Sequence, residues 1–485
     1  MFQKLKATLF GAFLVLACMP ASFAQTADLA QARHSIRVSG KEIKYTAYAG
    51  RLPIRDQASG EAHGEMFFTA YRVASKTPRP VAFIWNGGPG ANSVLLHFEA
   101  FGPQTFQGGK LTDNQHTLLD SADLVFVDPI GTGFSRAASR DYLPEFYNTL
   151  GDHQSVAEFI RVWRLTFNAQ TAPIFMIGES FGTWRAAGIA EILAKRGEHV
   201  SGIVLMSGGA GVGLSYNTRP ERAGYRIPGR TATALYHGKL DPKLGKDRDS
   251  VMRAAQEWAA ATYTPALARL ASLSEAERTS IAHDLTLYTG LPESAINRDK
   301  LELAPREYLA ALLKDQGKTL NTFDMRITGG EGADASPQRI DAYFREDLGY
   351  RTDLAYAGLG GGLGQGYTPT DAKPTNINAM WNYNSGEITP EVMAAAQAGE
   401  GPPGSQPWAV NAIKADPKLR VMVAAGVYDS LNNCNENDAL LHKLEPNIAA
   451  NFVMKCYAGG HMMYRDAAEG VRLSADIRAF IAGAR

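Results

Sequence analysis

A five-residue turn, Gly178-Glu-Ser-Phe-Gly182, lies between a short apolar run and an amphipathic helix, and no other stretch constrains the fold as tightly. The run Ile174 to Ile177 has no alternating polar face, so it reads as a strand covered on both sides. Glycines two residues either side of Ser180 let the backbone reverse without a Cβ clash. The serine hydroxyl is then presented at the strand's carboxyl end, beside a helix N-terminus. Ile189, Ile192 and Leu193 keep one helical face apolar until Lys195-Arg196-Gly197 closes the helix. G-x-S-x-G also occurs as an ordinary glycine-rich turn. The strand before it and the helix after it are what make Ser180 a candidate nucleophile.

Other segments repeat the buried-strand pattern. Val81 to Trp85, Asp123 to Val127, Val200 to Met206, Val421 to Ala425 and Phe452 to Tyr457 are short apolar runs, most of them ending in glycine-rich loops. Ahead of them, alternation from Ser35 to Ile54 around a Ser39-Gly40 turn predicts a hairpin, and Gly64 to Val73 a third strand. Val156, Phe159, Ile160, Trp163 and Phe167 recur at helical spacing, with Asp152 as the expected N-cap, and Leu473, Ile477, Phe480 and Ile481 mark a closing helix. Buried strands alternating with amphipathic helices imply an α/β fold: a mostly parallel central sheet with helices on both faces and an antiparallel edge.

From residue 213 to 407 the strand signal gives way to helices. Ser274 and Glu277 form a capping box, and Ala304-Pro305 opens a helix burying Tyr308, Leu309, Leu312 and Leu313. Because buried strands resume afterwards and need a sheet to join, this stretch is expected to be a helical cap insertion. Residues 25–212 and 408–485 are then two parts of one core. Residues 1–24 read as a secretory leader, with Lys4 and Lys6 before an apolar stretch and Ser22-Phe-Ala24 at the cleavage end. Leu14-Val-Leu-Ala-Cys18 is also a lipobox, so lipoprotein anchoring at Cys18 is an alternative. Either way the expected location is periplasmic or secreted.

With 49 basic and 49 acidic residues, the chain has no global field to hold nucleic acid, and past the leader no apolar run spans a bilayer. Removing the leader leaves Cys434 and Cys456, which flank the segment joining Asp429 to His461. In an oxidising compartment they are expected to form a disulfide.

A serine nucleophile needs a base to take its proton and an acid to orient that base. In a fold built on such a turn these follow on loops after late strands, acid first. Asp429 follows the run Val421 to Ala425, and His461, behind Gly459-Gly460, follows Phe452 to Tyr457. Asn86-Gly-Gly-Pro-Gly90 suits an oxyanion-binding loop, because glycine lets backbone approach the substrate closely. The second donor would be the N–H of Phe181. There is no G-x-x-x-x-G-K-[ST], no H-E-x-x-H, and no G-x-G-x-x-G spacing in the glycine-rich stretches at Gly208 or Gly358, so no nucleotide, metal or other cofactor is inferred.

These residues together resemble the serine carboxypeptidases of the α/β-hydrolase fold, in their bacterial branch. The resemblance rests on W-N-G-G-P-G at Trp85 to Gly90, D-P-I-G-T-G-F-S at Asp128 to Ser135, G-E-S-F-G at Gly178 to Gly182, G-x-x-D at Gly426 to Asp429 and G-G-H-M at Gly459 to Met462. It covers Val81 to Ser207 and Val421 onward, and the cap only loosely. It implies a triad of Ser180, Asp429 and His461, oxyanion donors at Gly88 and Phe181, and an Asn86–Glu179 pair holding the C-terminal carboxylate of a peptide substrate. Three departures stand out: Ala91-Asn-Ser93 replaces a Cys-Ser-Ser and its disulfide, Phe181 replaces a tyrosine, and Trp85 directly abuts Asn86. A carboxylate meets Glu179 comfortably only if Glu179 is protonated, since two negative groups in contact drive one pKa up.

The resulting expectation is an exopeptidase working through an acyl-enzyme. An esterase or acyltransferase on the same triad would not need the Asn86–Glu179 pair. A non-catalytic binding protein on the same fold would leave Ser180 unactivated.

Overall fold

In the computed structural model the described residues are 29–213, 218–329, 336–358, 365–366, 375–383 and 406–483. The expected leader, with Cys18, lies outside them, as do stretches of the expected insertion.

The inner strands of the parallel series are apolar at consecutive positions because both of their faces are covered, whereas the edge strand Phe452–Tyr457 is only half-buried and carries Lys455. Nine strands form one path: β1 (Ala30–Val38), β2 (Lys41–Arg55), β3 (Ala62–Arg72), β4 (Val81–Trp85), β5 (Asp123–Asp128), β6 (Ile174–Glu179), β7 (Gly202–Met206), β8 (Arg420–Gly426) and β9 (Phe452–Tyr457). Their spatial order is β1-β2-β3-β5-β4-β6-β7-β8-β9, with Arg136–Ala137 pairing β3 off the path. The β1–β2, β2–β3 and β3–β5 pairings are antiparallel, and all pairings from β5 through β9 are parallel. Ser39 and Gly40, both at positive φ, turn the first hairpin where the sequence placed it.

Alternate residues along the strands enter two separate cores. Phe83, Met176 and Leu205 pack with Phe159 and Trp163 of α1 (Thr149–Thr166) and Ile189 and Leu193 of α2 (Gly182–Lys195). Ile84, Ile177 and Met206 pack with Phe98, Phe344 and the Leu473, Ile477 and Phe480 face of the closing helix Ala467–Gly483. The sheet is therefore sandwiched between helices, as its unbroken apolar strands require.

The start of α1 differs from expectation. Asn148, not Asp152, caps it by accepting from the Gly151 N–H at 2.8 Å. Asp152 instead lies one turn inside and points a buried carboxylate at α2. The capping box at Ser274 and Glu277 is present, and it opens a helix spanning Glu275–Thr289. That helix, with Ile227–Tyr236, Arg248–Trp258 and Pro305–Ala311, lies between β7 and β8 and encloses an apolar core of its own around Tyr263, Leu285 and Tyr308.

Candidate active site

The loops after β4, β6, β8 and β9 all leave the carboxyl edge of the sheet, and β4 and β6 are neighbours although β5 lies between them in sequence. That arrangement gathers distant residues at one edge of the sheet. Ser180 follows β6 with φ +58°, a left-handed conformation that an L-residue adopts at a cost of about 1–2 kcal/mol. The flanking glycines are sterically required. A Cβ on Gly178 would sit 2.0 Å from the Gly182 carbonyl oxygen, and one on Gly182 would sit 2.8 Å from the Trp85 ring. Trp85 itself is fully buried and donates its indole N–H to the Gly182 carbonyl at 2.9 Å, so it braces the turn.

His461 Nδ1 lies 2.7 Å from Asp429 Oδ2, both buried. A carboxylate only accepts, so Nδ1 carries the hydrogen and Nε2 of the neutral ring is left as the base. The other Asp429 oxygen accepts the Leu431 N–H at 2.8 Å, fixing the carboxylate's plane. Ser180 is tied to the same place through the end of β7: its N–H donates to Met206 O at 2.8 Å, and the next residue, Ser207, donates its hydroxyl to His461 O at 2.5 Å. Ser207, too, is at positive φ.

The glycine loop after β4 lies directly on this turn. A Cβ on Gly87 would stand 2.6 Å from both the Glu179 carbonyl and the Phe181 nitrogen, so the loop carrying Gly88 and the amide of Phe181 are in contact. Where a Cys-Ser-Ser would otherwise brace this loop, hydrogen bonds do so: Asn92 donates to Ala357 O at 2.9 Å, and the Ser93 N–H donates to Asp128 at 2.8 Å.

Asn86 donates its amide to Glu179 Oε2 and accepts the Leu96 N–H on its own oxygen. Tyr464 adds a second, longer donor to Oε2 at 3.3 Å. Glu179 Oε1 is buried with no hydrogen-bond partner among the described residues. Burial pushes the Glu179 carboxyl up to about 7, opposed by the charge of His461 and the Tyr464 hydrogen bond. With both donors on Oε2, the proton of the neutral acid belongs on Oε1.

Sequence reasoning missed two contributors. Tyr464 follows His461 by three residues and had only that spacing to mark it. Arg185, one turn beyond the serine, forms a fully buried ion pair with Asp152 at 2.7 Å and also donates to the Asn86 carbonyl at 3.0 Å. An arginine on an otherwise apolar helix face, with an aspartate on the preceding helix, was the available signal.

One expectation is corrected. Cys434 and Cys456 are free thiols in the structure, not a disulfide. The buried Cys434 thiol donates to the Ala425 carbonyl at 3.0 Å, and burial, with the Cys456 thiol next to it, raises its pKa well above the usual range. Among the described residues no cluster of three or more His, Cys, Asp or Glu is placed to hold a metal, and no helix is long and apolar enough to cross a membrane.

A buried acid–histidine pair, a strained serine turn and a glycine loop at one sheet edge define an α/β-hydrolase. The crystal structure of Kex1(delta)p, a prohormone-processing carboxypeptidase from Saccharomyces cerevisiae, superposes with a TM-score of 0.54 over 91% of this chain and 92% of its own, at 15% identity. That likeness establishes the fold. The family model "Serine carboxypeptidase" matches residues 39–253, a stretch that holds the glycine loop and the Ser180 turn. The pheromone-processing carboxypeptidase kex1 of Pyrenophora tritici-repentis is 29% identical over 195 residues, 39% of this chain and 29% of that protein. The serine carboxypeptidase ctsa-3.2 of Caenorhabditis elegans is 29% identical over 147 residues, 28% of each chain. The similarity thus spans under a third of the length of these curated relatives, and within that share it supports the serine carboxypeptidase family.

Proposed function

We propose that this protein is a serine carboxypeptidase, removing C-terminal residues from peptides through an acyl-enzyme. Ser180 Oγ attacks the last peptide carbonyl while His461 Nε2 takes its proton, and Asp429 stabilises the imidazolium that forms. The N–H groups of Gly88 and Phe181 receive the developing oxyanion. His461 then returns the proton to the departing amine, and water releases the shortened peptide by the same route in reverse.

The observation that carries the exopeptidase reading is the Glu179 carboxyl: buried, raised to about 7, with Oε1 unpaired immediately before the nucleophile. An acid kept neutral is a hydrogen-bond donor to a carboxylate, and only a substrate with a free C-terminus brings one. The test is mass spectrometry of products from paired peptides, identical except for a free acid or an amide at the C-terminus. The reading requires single-residue loss from the free acid and at least a tenfold lower kcat/KM for the amide. Equal cleavage of both at every pH points to an esterase-type hydrolase instead, and failure of Ser180 to label with a fluorophosphonate points to a non-catalytic protein.

The same reading includes the division of the chain into an α/β core at 25–212 and 408–485 with a helical cap at 213–407. It also includes export to the periplasm or medium behind a leader at 1–24. Placement in the bacterial branch rests on the motif resemblance alone; the relatives named above are fungal and nematode proteins.

A further inference from the structure

The sheet aligns β8 with β9 only as far as Tyr428, whose N–H donates to Gly459 O at 3.0 Å. Asp429 and His461 lie beyond that last rung, so something else must hold the two loops in register. A segment from the helical stretch between β7 and β8 does so. The Ser430 hydroxyl donates to Thr322 O at 2.7 Å, the His461 N–H to Phe323 O at 2.6 Å, and the Met325 N–H to Tyr428 O at 2.9 Å. The Phe323 ring packs against the His461 ring with centroids 5.2 Å apart. Contact is so close at Gly460 that a Cβ there would meet Phe323 O at 2.5 Å. Thr322 to Met325 is thus a splint lying across both loops.

The splint's contacts are almost all backbone, and one side chain locks it in place. Arg326 forks onto Asp324 with its Nη2 at 2.6 Å, while its Nη1 donates to Ala458 O and to Asp466 Oδ2, each at 3.0 Å. The same guanidinium lies 5.0 Å from the centre of the Tyr428 ring. A single planar cation therefore touches the splint, the residues three before and five after His461, and the residue next to Asp429. Its charge is held firmly by the two carboxylates, and its fork geometry is one that lysine cannot reproduce.

We propose that Arg326 is a positioning residue for the Asp429–His461 pair, fixing through the Thr322–Met325 splint the register in which the histidine accepts the serine proton. This rests on the reading of Ser180, His461 and Asp429 as a catalytic triad. The alternative is a stabilising ion-pair cluster with no bearing on the chemistry, and the two differ in what changes per active molecule. Arg326 touches neither of the expected substrate-holding residues, Asn86 and Glu179, so its loss should leave KM alone. A shift of the histidine by a fraction of an ångström should lower kcat by about 10- to 100-fold.

The experiment is peptide hydrolysis by the full-length protein and its variants, with each preparation titrated by a fluorophosphonate to count competent sites. Arg326→Gln is expected to lose 10-fold or more in kcat per titrated site and in labelling rate, with KM within twofold of wild type. Arg326→Lys should recover only part of the loss. Asp466→Asn, which keeps the arginine and removes one anchor, should show a smaller loss of the same kind, and it decides the question if Arg326→Gln does not fold. A kcat per site within twofold of wild type in Asp466→Asn and in every folded Arg326 variant overturns the proposal. So does a loss confined to KM. A wild-type protein that does not label, or a Ser180→Ala variant that does, overturns the triad reading itself and is seen before any Arg326 variant is made.

Discussion

Glu179→Gln is the most informative single change, because it tests the site through folding stability as well as through catalysis. In the native protein burial lifts the Glu179 carboxyl from its ordinary 4.5 to about 7. Below 4.5 both native and unfolded chains hold the proton, and stability does not depend on this group. Between 4.5 and about 7 the unfolded chain gives up its proton and the native protein keeps it, so stability falls as pH rises, by about 1.4 kcal/mol per pH unit. Above about 7 the loss is complete, at roughly 3 kcal/mol in total. Glutamine has the same shape, still accepts from Asn86, and cannot ionise. Urea midpoints for the two proteins, measured from pH 4 to pH 8 and subtracted, should therefore diverge by roughly 3 kcal/mol, with the variant gaining as pH rises. Peptide cleavage should follow the same curve: free-acid turnover by the wild type weakens as Glu179 ionises near 7, while the variant, which always has a donor, continues to higher pH. A difference in stability that stays flat over the interval would show that Glu179 ionises normally and would remove the physical basis for carboxylate recognition.

Ser180→Ala should abolish fluorophosphonate labelling and lower kcat by at least about 10⁴-fold with the fold intact; retained turnover dismisses Ser180 as nucleophile. Ser180→Gly should be more stable than Ser180→Ala by about 1 kcal/mol, because only glycine is relaxed at φ +58°; equal melting temperatures contradict the strained turn. Gly87→Ala has no room for its methyl group and should cost at least about 100-fold in labelling rate as the oxyanion loop is pushed off the turn, a prediction that fails if labelling is unchanged. His153 is buried with its pKa lowered to about 3, chiefly by burial and then by the Arg185 charge, so it stabilises fully above 6.5 and that contribution is lost as pH falls. His153→Phe, which keeps the ring against Trp408, should flatten the acid decline by about 3 kcal/mol between pH 6.5 and 4.5; parallel urea-midpoint curves for variant and wild type rule it out.

The sheet was legible because its inner strands, covered on both faces, are runs of apolar residues, and each glycine-rich interruption marked a carboxyl end where a loop had to turn. Ser180, Asp429 and His461 stood out because each sits just past such a strand, beside glycines that close packing requires. What the sequence hid was side-chain partnership across long separations. Asp152 looks like an N-cap because it stands near a helix start and such residues usually cap. Only the packing of α1 on α2 shows that its partner is Arg185 and that the pair reaches the Asn86 carbonyl. The cysteines were misread for a related reason: adjacency in space was correctly expected, but pattern alone cannot show that Cys434 is already committed as a donor to Ala425. The splint at Thr322 to Met325 was invisible for a third reason. Its hydrogen bonds run through backbone atoms, which every residue has.

Burial of Glu179 does more than hold a proton for the substrate. The site needs Glu179 neutral to donate and His461 neutral to accept, and the alternative with Glu179 ionised and His461 protonated carries the same number of protons. Changing pH cannot choose between two arrangements of equal proton count. The choice is made by the surroundings. The charged arrangement gains the attraction between His461 and Glu179, which pulls the Glu179 pKa down, but it places a carboxylate with one unpaired oxygen in a fully buried position. Burial is the larger of these influences on Glu179, and it favours the neutral carboxyl. On the proposed function, the buried, unpartnered oxygen keeps Glu179 neutral as a donor for a substrate carboxylate, while Asp429, 2.7 Å from Nδ1, stabilises the imidazolium that forms when His461 takes the Ser180 proton.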